Sequence, residues 1–127
     1  MALIGARIVR LIPGECDIEL PFRADLTQQH GFFHGGVTAM IADSAGGYAG
    51  FSLYPTNSSV LTVEFKMNLV APAAGELLIA TGRVLRPGRT LFATSLEVAA
   101  IKGGRRTVCA HGLQTLMCLA GRPDRRA

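Results

Sequence analysis

The sequence predicts an α+β fold in which one long helix is wrapped by an antiparallel sheet of five to six strands. Three observations lead to this prediction. Apolar and small residues recur at helical spacing from Gly36 onward. The segment LTVEFKMNLV then alternates with period two, and three later runs of ten or more residues are joined by the tight turns PG and KGGR. A single helix that is apolar over much of its surface is satisfied when a sheet wraps around it.

Each element follows from its local pattern. The segment GECDIELPF alternates as a strand does, and a loop over residues 23–33 leads into the helix. Within LTVEFKMNLV, one face of the predicted strand carries Val63, Phe65, Met67 and Leu69, and the other carries Thr62, Glu64, Lys66 and Asn68. The predicted core stripe of the helix comprises Val37, Met40, Ile41, Ser44, Ala45 and Tyr48.

Length and composition narrow the class of protein. The 127 residues suit a single domain over 1–127, with a flexible tail over 120–127. A hydrophobic fraction of 49% against 17% charged residues favours self-association. The net charge of +4 includes +2 from the closing GRPDRRA, so a nucleic-acid partner is not expected. Three widely spaced cysteines and the lack of a long apolar segment indicate a cytoplasmic protein without a membrane anchor.

One carboxylate lies in an unusual place. Asp43 falls within the predicted helix, on a face of small residues that includes Gly46 and Gly47. Glycine within a helix costs about 1 kcal/mol relative to alanine, so this face is expected to allow close approach of a ligand or another backbone. Before it, Gly35 and Gly36 offer free N–H groups at the helix start, where a developing oxyanion is favoured. A carbonyl and an attacking water are expected to fit between these N–H groups and Asp43.

The segment HGGVTAMIAD, followed about twenty residues on by LTVEFKMNLVAPAAGELLIATGRVLRPGRTLFATSLEV, resembles the hotdog-fold acyl-CoA thioesterases of the phenylacetic-acid-degradation type. The resemblance covers about residues 28–115. It implies hydrolysis of an acyl-CoA thioester by a homo-oligomer, a dimer or a dimer of dimers. It also implies that each active site lies between two subunits, with the helix of one facing a strand of the other.

The resemblance assigns a role to each candidate catalytic residue. The catalytic acid corresponds to Asp43, and the oxyanion-hole N–H to Gly35. Gln28 matches the polar residue that orients the thioester or the water, and His34 matches the histidine of the HGG motif. Thr62 matches the hydroxyl residue that lies near the attacking water. Asp43 would act as a general base or as a nucleophile, and because thiolate is a good leaving group, no metal or cofactor is required.

Substrate contacts are expected at both ends of the ligand. The hairpin RVLRPGRT suggests Arg86 and Arg89 as contacts for the phosphates of coenzyme A, with Gly36 as a further binding residue. Strict alternation would place Arg83 and Arg86 on opposite faces. Phe33 and Met40 are candidates for the acyl pocket, although such residues are more often core.

The sequence also bears on three other functions. A hotdog hydratase would carry a histidine a few helical residues after its acid, but SAGGYAGFSLY has none. A non-catalytic acyl-CoA binding module differs in lacking turnover. A metal site at His30 and His34 is disfavoured because the intervening GFF contains no acid.

Overall fold

The computed structural model describes residues 1–55 and 57–121. Its strands are β1 (Arg7–Ile12), β2 (Glu15–Pro21), β3 (Ser58–Leu69), β4 (Leu77–Pro87), β5 (Leu91–Lys102) and β6 (Arg105–Ala120), and its long helix is α1 (Gly35–Phe51). The six strands form one antiparallel sheet in the order β1-β2-β4-β5-β6-β3. The predicted hotdog fold, with a central helix packed against this sheet, is confirmed.

The ends of the chain differ from the sequence-based expectation. β1 was not predicted, because all six of its residues are exposed and its sequence shows no alternation of burial. It is held at the sheet edge by pairing with β2, where Arg7 and Arg10 form ion pairs with acidic residues of that strand. At the other end, residue 120 belongs to β6 rather than to a tail, and 122–127 lie outside the described residues.

The buried stripe of the helix matches the predicted one only in part: Ile41 and Ala45 are buried as predicted. Its buried residues are Thr38, Ile41, Ala42, Ala45, Gly46, Ala49 and Gly50. Met40 and Tyr48, placed in the core from their apolar character, are 45% and 41% exposed. The small residues face the sheet because the two backbones approach closely: a Cβ on Gly82 of β4 would lie 2.5 Å from backbone atoms of Ala45 and Gly46.

A bulge in β3 changes the predicted faces of that strand. Thr62 pairs with Leu116 and Glu64 with Thr115, which leaves Val63 as the extra residue. Because paired residues share a face of the sheet, Thr62 lies on the same face as Phe65, the partner of Gln114. The prediction that Thr62 faces away from Phe65 is therefore wrong, and the bulge directs its side chain toward the helix.

A second bulge, at Leu85, corrects the predicted placement of the β4 arginines. Arg83 pairs with Ser95 and Arg86 pairs with Ala93. Since Ser95 and Ala93 are two positions apart on β5, both arginines lie on one face of the sheet. Within the described residues, no helix has the length and apolar character needed to cross a membrane.

Candidate active site

Asp43 is anchored by two strands that lie far from it in sequence. Thr62 of β3 donates its hydroxyl hydrogen to Asp43 Oδ1 at 2.7 Å. Gln114 of β6 donates from Nε2 to the same Oδ1 at 2.6 Å and to the Asp43 backbone oxygen at 3.0 Å. Both side-chain donors bind one carboxylate oxygen. Among the described residues, Oδ2 has no hydrogen-bond donor, so it is the oxygen available to a reactant.

The glycine at position 46 makes this contact possible. A Cβ added to Gly46 would collide with Oε1 of Gln114 and with the side chain of Leu96. The small-residue face therefore admits side chains of the same chain's sheet at this position. Gly47 has open space around it and lines the cavity beside Asp43.

A cavity of about 240 Å³ opens beside Asp43. Its lining residues come from α1 and the first half of β3, and they are Asp43, Ser44, Gly47, Tyr48, Phe51, Val60 and Thr62. Tyr48 and Phe51 are 41% and 42% exposed. The cavity thus combines an ionisable carboxylate with an apolar wall, which suits an acyl group next to an attacking water.

The start of α1 has a different chemistry. His34 caps the helix: its Nδ1 accepts the N–H of Gly36 at 2.9 Å, and its backbone oxygen accepts from Val37 and Thr38. An Nδ1 that accepts a hydrogen bond carries no proton, so any single ring proton is on Nε2. The Gly36 N–H is thereby occupied by the cap rather than free for a ligand. The Gly35 N–H has no acceptor among the described residues.

A second, smaller cavity of about 150 Å³ lies at this end of the helix. Gln28 and Gly35 both line it. The side-chain Oε1 of Gln28 accepts the N–H of His30 in a local turn, and the side-chain Nε2 has no acceptor in the described part of the chain. Two residues with unoccupied N–H donors therefore line one cavity, and an oxyanion site requires such donors.

Cys109 also lines the second cavity, but it is not a suitable nucleophile. Burial raises the pKa of its thiol above the ordinary value, and its Sγ donates to the backbone oxygen of Val98. The thiol therefore stays protonated near neutral pH. In the described residues, no group of three or more His, Cys, Asp or Glu side chains is arranged to hold a metal ion.

The acid and the free N–H of one chain lie too far apart to share one carbonyl. Eight helical positions separate Gly35 from Asp43, which is about 12 Å along the helix axis. The two residues line different cavities. The expectation that a carbonyl and a water fit between them within one chain is therefore wrong.

The remaining candidate residues fall in separate regions. Arg86 and Arg89 are exposed at the β4–β5 turn, and neither forms an ion pair within the described residues, whereas Arg83 is paired with Glu15 at 3.0 Å. Phe33 is 3% exposed and packs edge-on against Phe22, so its side chain belongs to the core beside the second cavity.

The model of the family described as Thioesterase superfamily matches residues 30–107 of this chain. The chain belongs to the thioesterase superfamily. A thioesterase family protein from Silicibacter pomeroyi has a similar crystal structure, with 45% sequence identity, a TM-score of 0.94, and coverage of 95% of this chain and 89% of that one.

Curated relatives extend the comparison. The proofreading thioesterase EntH of Klebsiella pneumoniae is 28% identical over 91% of this chain and 85% of its own length. Human acyl-coenzyme A thioesterase 13 is 32% identical over 72% of this chain and 65% of its own length. A putative esterase from Saccharolobus solfataricus is 28% identical over 74% of this chain, and this match spans 66% of that relative. About a third of each of the last two relatives thus lies outside its match.

The structure brings together some of the predicted site residues of this superfamily member and separates others. Asp43 and Thr62 are in contact, and Gln28 and Gly35 share the second cavity. Sequence reasoning missed Gln114, which lies in the run RTVCAHGLQTLMCL. The one signal available was an uncharged polar residue at an inward position of a mostly apolar strand.

Proposed function

We propose that this superfamily member is an acyl-CoA thioesterase of the phenylacetic-acid-degradation type, which hydrolyses an acyl- or aryl-acyl-CoA to the free acid and coenzyme A. The observation that carries the proposal is the Asp43 carboxylate, held through one oxygen and open through the other to a partly apolar cavity. The name of human acyl-coenzyme A thioesterase 13 supports the choice of coenzyme A thioesters.

A complete site would be formed by two copies of the chain. Asp43 and Thr62 of one copy would face Gly35 and Gln28 of the other, since the acid and the N–H donors of one chain open into separate cavities. β3 supports this arrangement because it is an edge strand of 12 residues with exposed apolar side chains: Leu61, Val63, Phe65 and Leu69. A long apolar edge is usually covered by another chain. A dimer, or a dimer of dimers, would cover it.

The reaction needs a proton taken up and given back by Asp43 and the exchange of a C–S bond for a C–O bond. Asp43 Oδ2 takes a proton from water, and the water oxygen forms a bond to the thioester carbonyl carbon. The carbonyl oxygen becomes an oxyanion that accepts hydrogen bonds from the Gly35 N–H and Gln28 Nε2 of the second copy. The C–S bond then breaks as the oxyanion collapses to the acid, the thiolate leaves with the electron pair, and Asp43 returns its proton to the thiolate or to solvent.

Arg86 and Arg89 would bind the phosphates of coenzyme A. The register aligns Pro87, Phe92, Leu116 and Thr62 in one row across four strands. Three strand spacings place the β4–β5 turn about 14 Å from Thr62. Coenzyme A carries its phosphates at the end of a long pantetheine arm, so separate phosphate and thioester sites suit it. Three free cysteines support a reducing, cytoplasmic location.

The test is release of free coenzyme A from a panel of aryl-acetyl, short, medium and long acyl-CoAs by wild type and by Asp43→Asn. Loss of the base is expected to lower kcat by about 10²- to 10⁴-fold with substrate binding retained. Circular dichroism checks that the variant folds. Equal turnover by both proteins would remove Asp43 from the mechanism, and tight binding without turnover by wild type would favour a binding module.

The role of Asp43 as base rather than nucleophile has its own test. A single turnover in ¹⁸O-labelled water is followed by mass spectrometry of the peptide that contains Asp43. Label in the carboxylate would show an acyl-enzyme anhydride that water opens at the Asp43 carboxyl carbon, and it would exclude the simple base route.

A further inference from the structure

Gln114 is a buried polar residue that takes no part in the proton transfers or the bond exchange of the proposed mechanism. Its side chain is 2% exposed within the core side of β6. Its Nε2 has two hydrogens, and the geometry directs them to two oxygens of one residue, Asp43 Oδ1 and the Asp43 backbone oxygen. It therefore fixes both the side chain and the backbone of the proposed catalytic acid.

The orientation of the Gln114 amide follows from charge. With Nε2 toward Asp43, a donor faces an ionised carboxylate at 2.6 Å. The reversed orientation would place two acceptor oxygens against each other at that distance, which is repulsive. The observed orientation leaves Gln114 Oε1 buried without a hydrogen-bond partner among the described residues.

That unpaired oxygen makes Gln114 a poor choice for stability alone. A buried acceptor without a partner destabilises the fold, and an apolar side chain of similar shape avoids this cost. Methionine is such a side chain, since it is also unbranched and flexible. The contribution of Gln114 must then lie in what its Nε2 does to Asp43.

We propose that Gln114 is a positioning residue of the reaction, a role that rests on the proposed function of Asp43. Together with Thr62, it holds Oδ1 against the sheet so that Oδ2 faces the cavity where the water attacks. The absence of a side chain at Gly46 leaves the space that Gln114 occupies.

The first test compares Gln114→Met with wild type. Removal of a donor to a charged group is expected to lower kcat by about 10-fold or more, with KM changed by less than about 2-fold. The thermal midpoint does not fall by more than about 4 °C, since the unpaired Oε1 is removed as well.

Gln114→Glu and Thr94→Val complete the design. Gln114→Glu keeps the shape but sets two carboxyl groups side by side, so that they share one proton. The ratio of its turnover to that of wild type at the same pH is expected to fall as the pH rises and this proton is lost. Thr94 is fully buried and pairs with Gln114 across β5 and β6, with its own hydroxyl unpartnered within the described residues. Thr94→Val removes a neighbouring polar group that forms no hydrogen bond to Asp43, and it should retain kcat.

The outcomes separate the two proposals. Wild-type kcat in a folded Gln114→Met, alongside an inactive Asp43→Asn, would overturn the role of Gln114 and leave the proposed function intact. An equal loss in Thr94→Val would also overturn it, since the effect would then belong to the core in general. Full activity in Asp43→Asn would overturn the proposed function, and the role of Gln114 with it. If Gln114→Met does not fold, a wild-type pH profile in Gln114→Glu overturns the role of Gln114.

Discussion

The start of α1 and its middle are built in different ways. At the start, the cap is local: His34 binds the N–H of Gly36, two residues along the chain. In the middle, Asp43 is held by Thr62 and Gln114, which lie 19 and 71 residues away. The His34 cap requires only the start of the helix. The hydrogen bonds to Asp43 require that β3 and β6 are paired in register.

The two regions also hold complementary halves of one chemistry. The start of the helix has N–H donors without an acid, and the middle has an acid without a free N–H donor within the described residues. Thioester hydrolysis requires both a base and an oxyanion donor. The comparison therefore leads to the proposal that two chains share each site.

The N–H of Gly35 can be removed with little change to the helix. Proline suits the first position of a helix, and His34 before it has the extended conformation that a following proline requires. Gly35→Pro is expected to lower kcat by about 10²- to 10³-fold. Steady-state kinetics on the best acyl-CoA measures the effect.

Gly35→Ala is the matched control. It keeps the N–H and adds a Cβ that would approach the Leu69 side chain to 3.0 Å, as the proline ring also does. An equal loss in both variants would trace the effect to that contact and would contradict the oxyanion role of Gly35.

The proposed phosphate contacts give a smaller and salt-dependent effect. Arg86→Ala and Arg89→Ala are expected to raise KM several-fold at low ionic strength, with kcat unchanged, and the difference should shrink as salt is added. Arg105→Ala provides a control, because this exposed arginine lies at the opposite end of β5, next to the β5–β6 turn. KM values that match wild type in both turn variants would remove the turn from the binding site.

The cap at the helix start predicts the smallest effect. His34→Ala should lower the free energy of unfolding by about 1 kcal/mol, because the Gly36 N–H loses its acceptor. His34→Asn should retain stability, since asparagine is a good N-cap residue. Thermal unfolding of wild type, His34→Ala and His34→Asn measures these differences in the free energy of unfolding. Equal stability of the alanine and asparagine variants would show that the side-chain cap contributes nothing.

The start of the helix was predictable from sequence. The hydrogen bonds that join Asp43 to Thr62 and Gln114 were not. The helix start at HGG and the choice of Asp43 as candidate acid followed from residue types and from the resemblance to a family. The bulge at Val63 left no mark in the alternating pattern of LTVEFKMNLV, so Thr62 was placed on the wrong face. Gln114 was missed because its role depends on the alignment of β6 with α1.

Burial on the helix was misjudged for a related reason. Met40 and Tyr48 were assigned to the core by their hydrophobicity, but the close approach of β4 at Gly82 selects small residues for the buried face. The large side chains are thereby left on the outer face. Hydrophobic periodicity located the helix, and backbone proximity decided which of its sides is buried.

Complementation between two inactive variants tests the shared site most directly. Asp43→Asn and Gly35→Pro are refolded together in equal amounts, and coenzyme A release is compared with that of each variant alone. If two chains share each site, half of the dimers are mixed and each mixed dimer has one site with both Asp43 and the Gly35 N–H. The account then predicts recovery of about one quarter of wild-type activity. Activity no higher than the mean of the two variants, in a sample shown to contain mixed dimers, would contradict it.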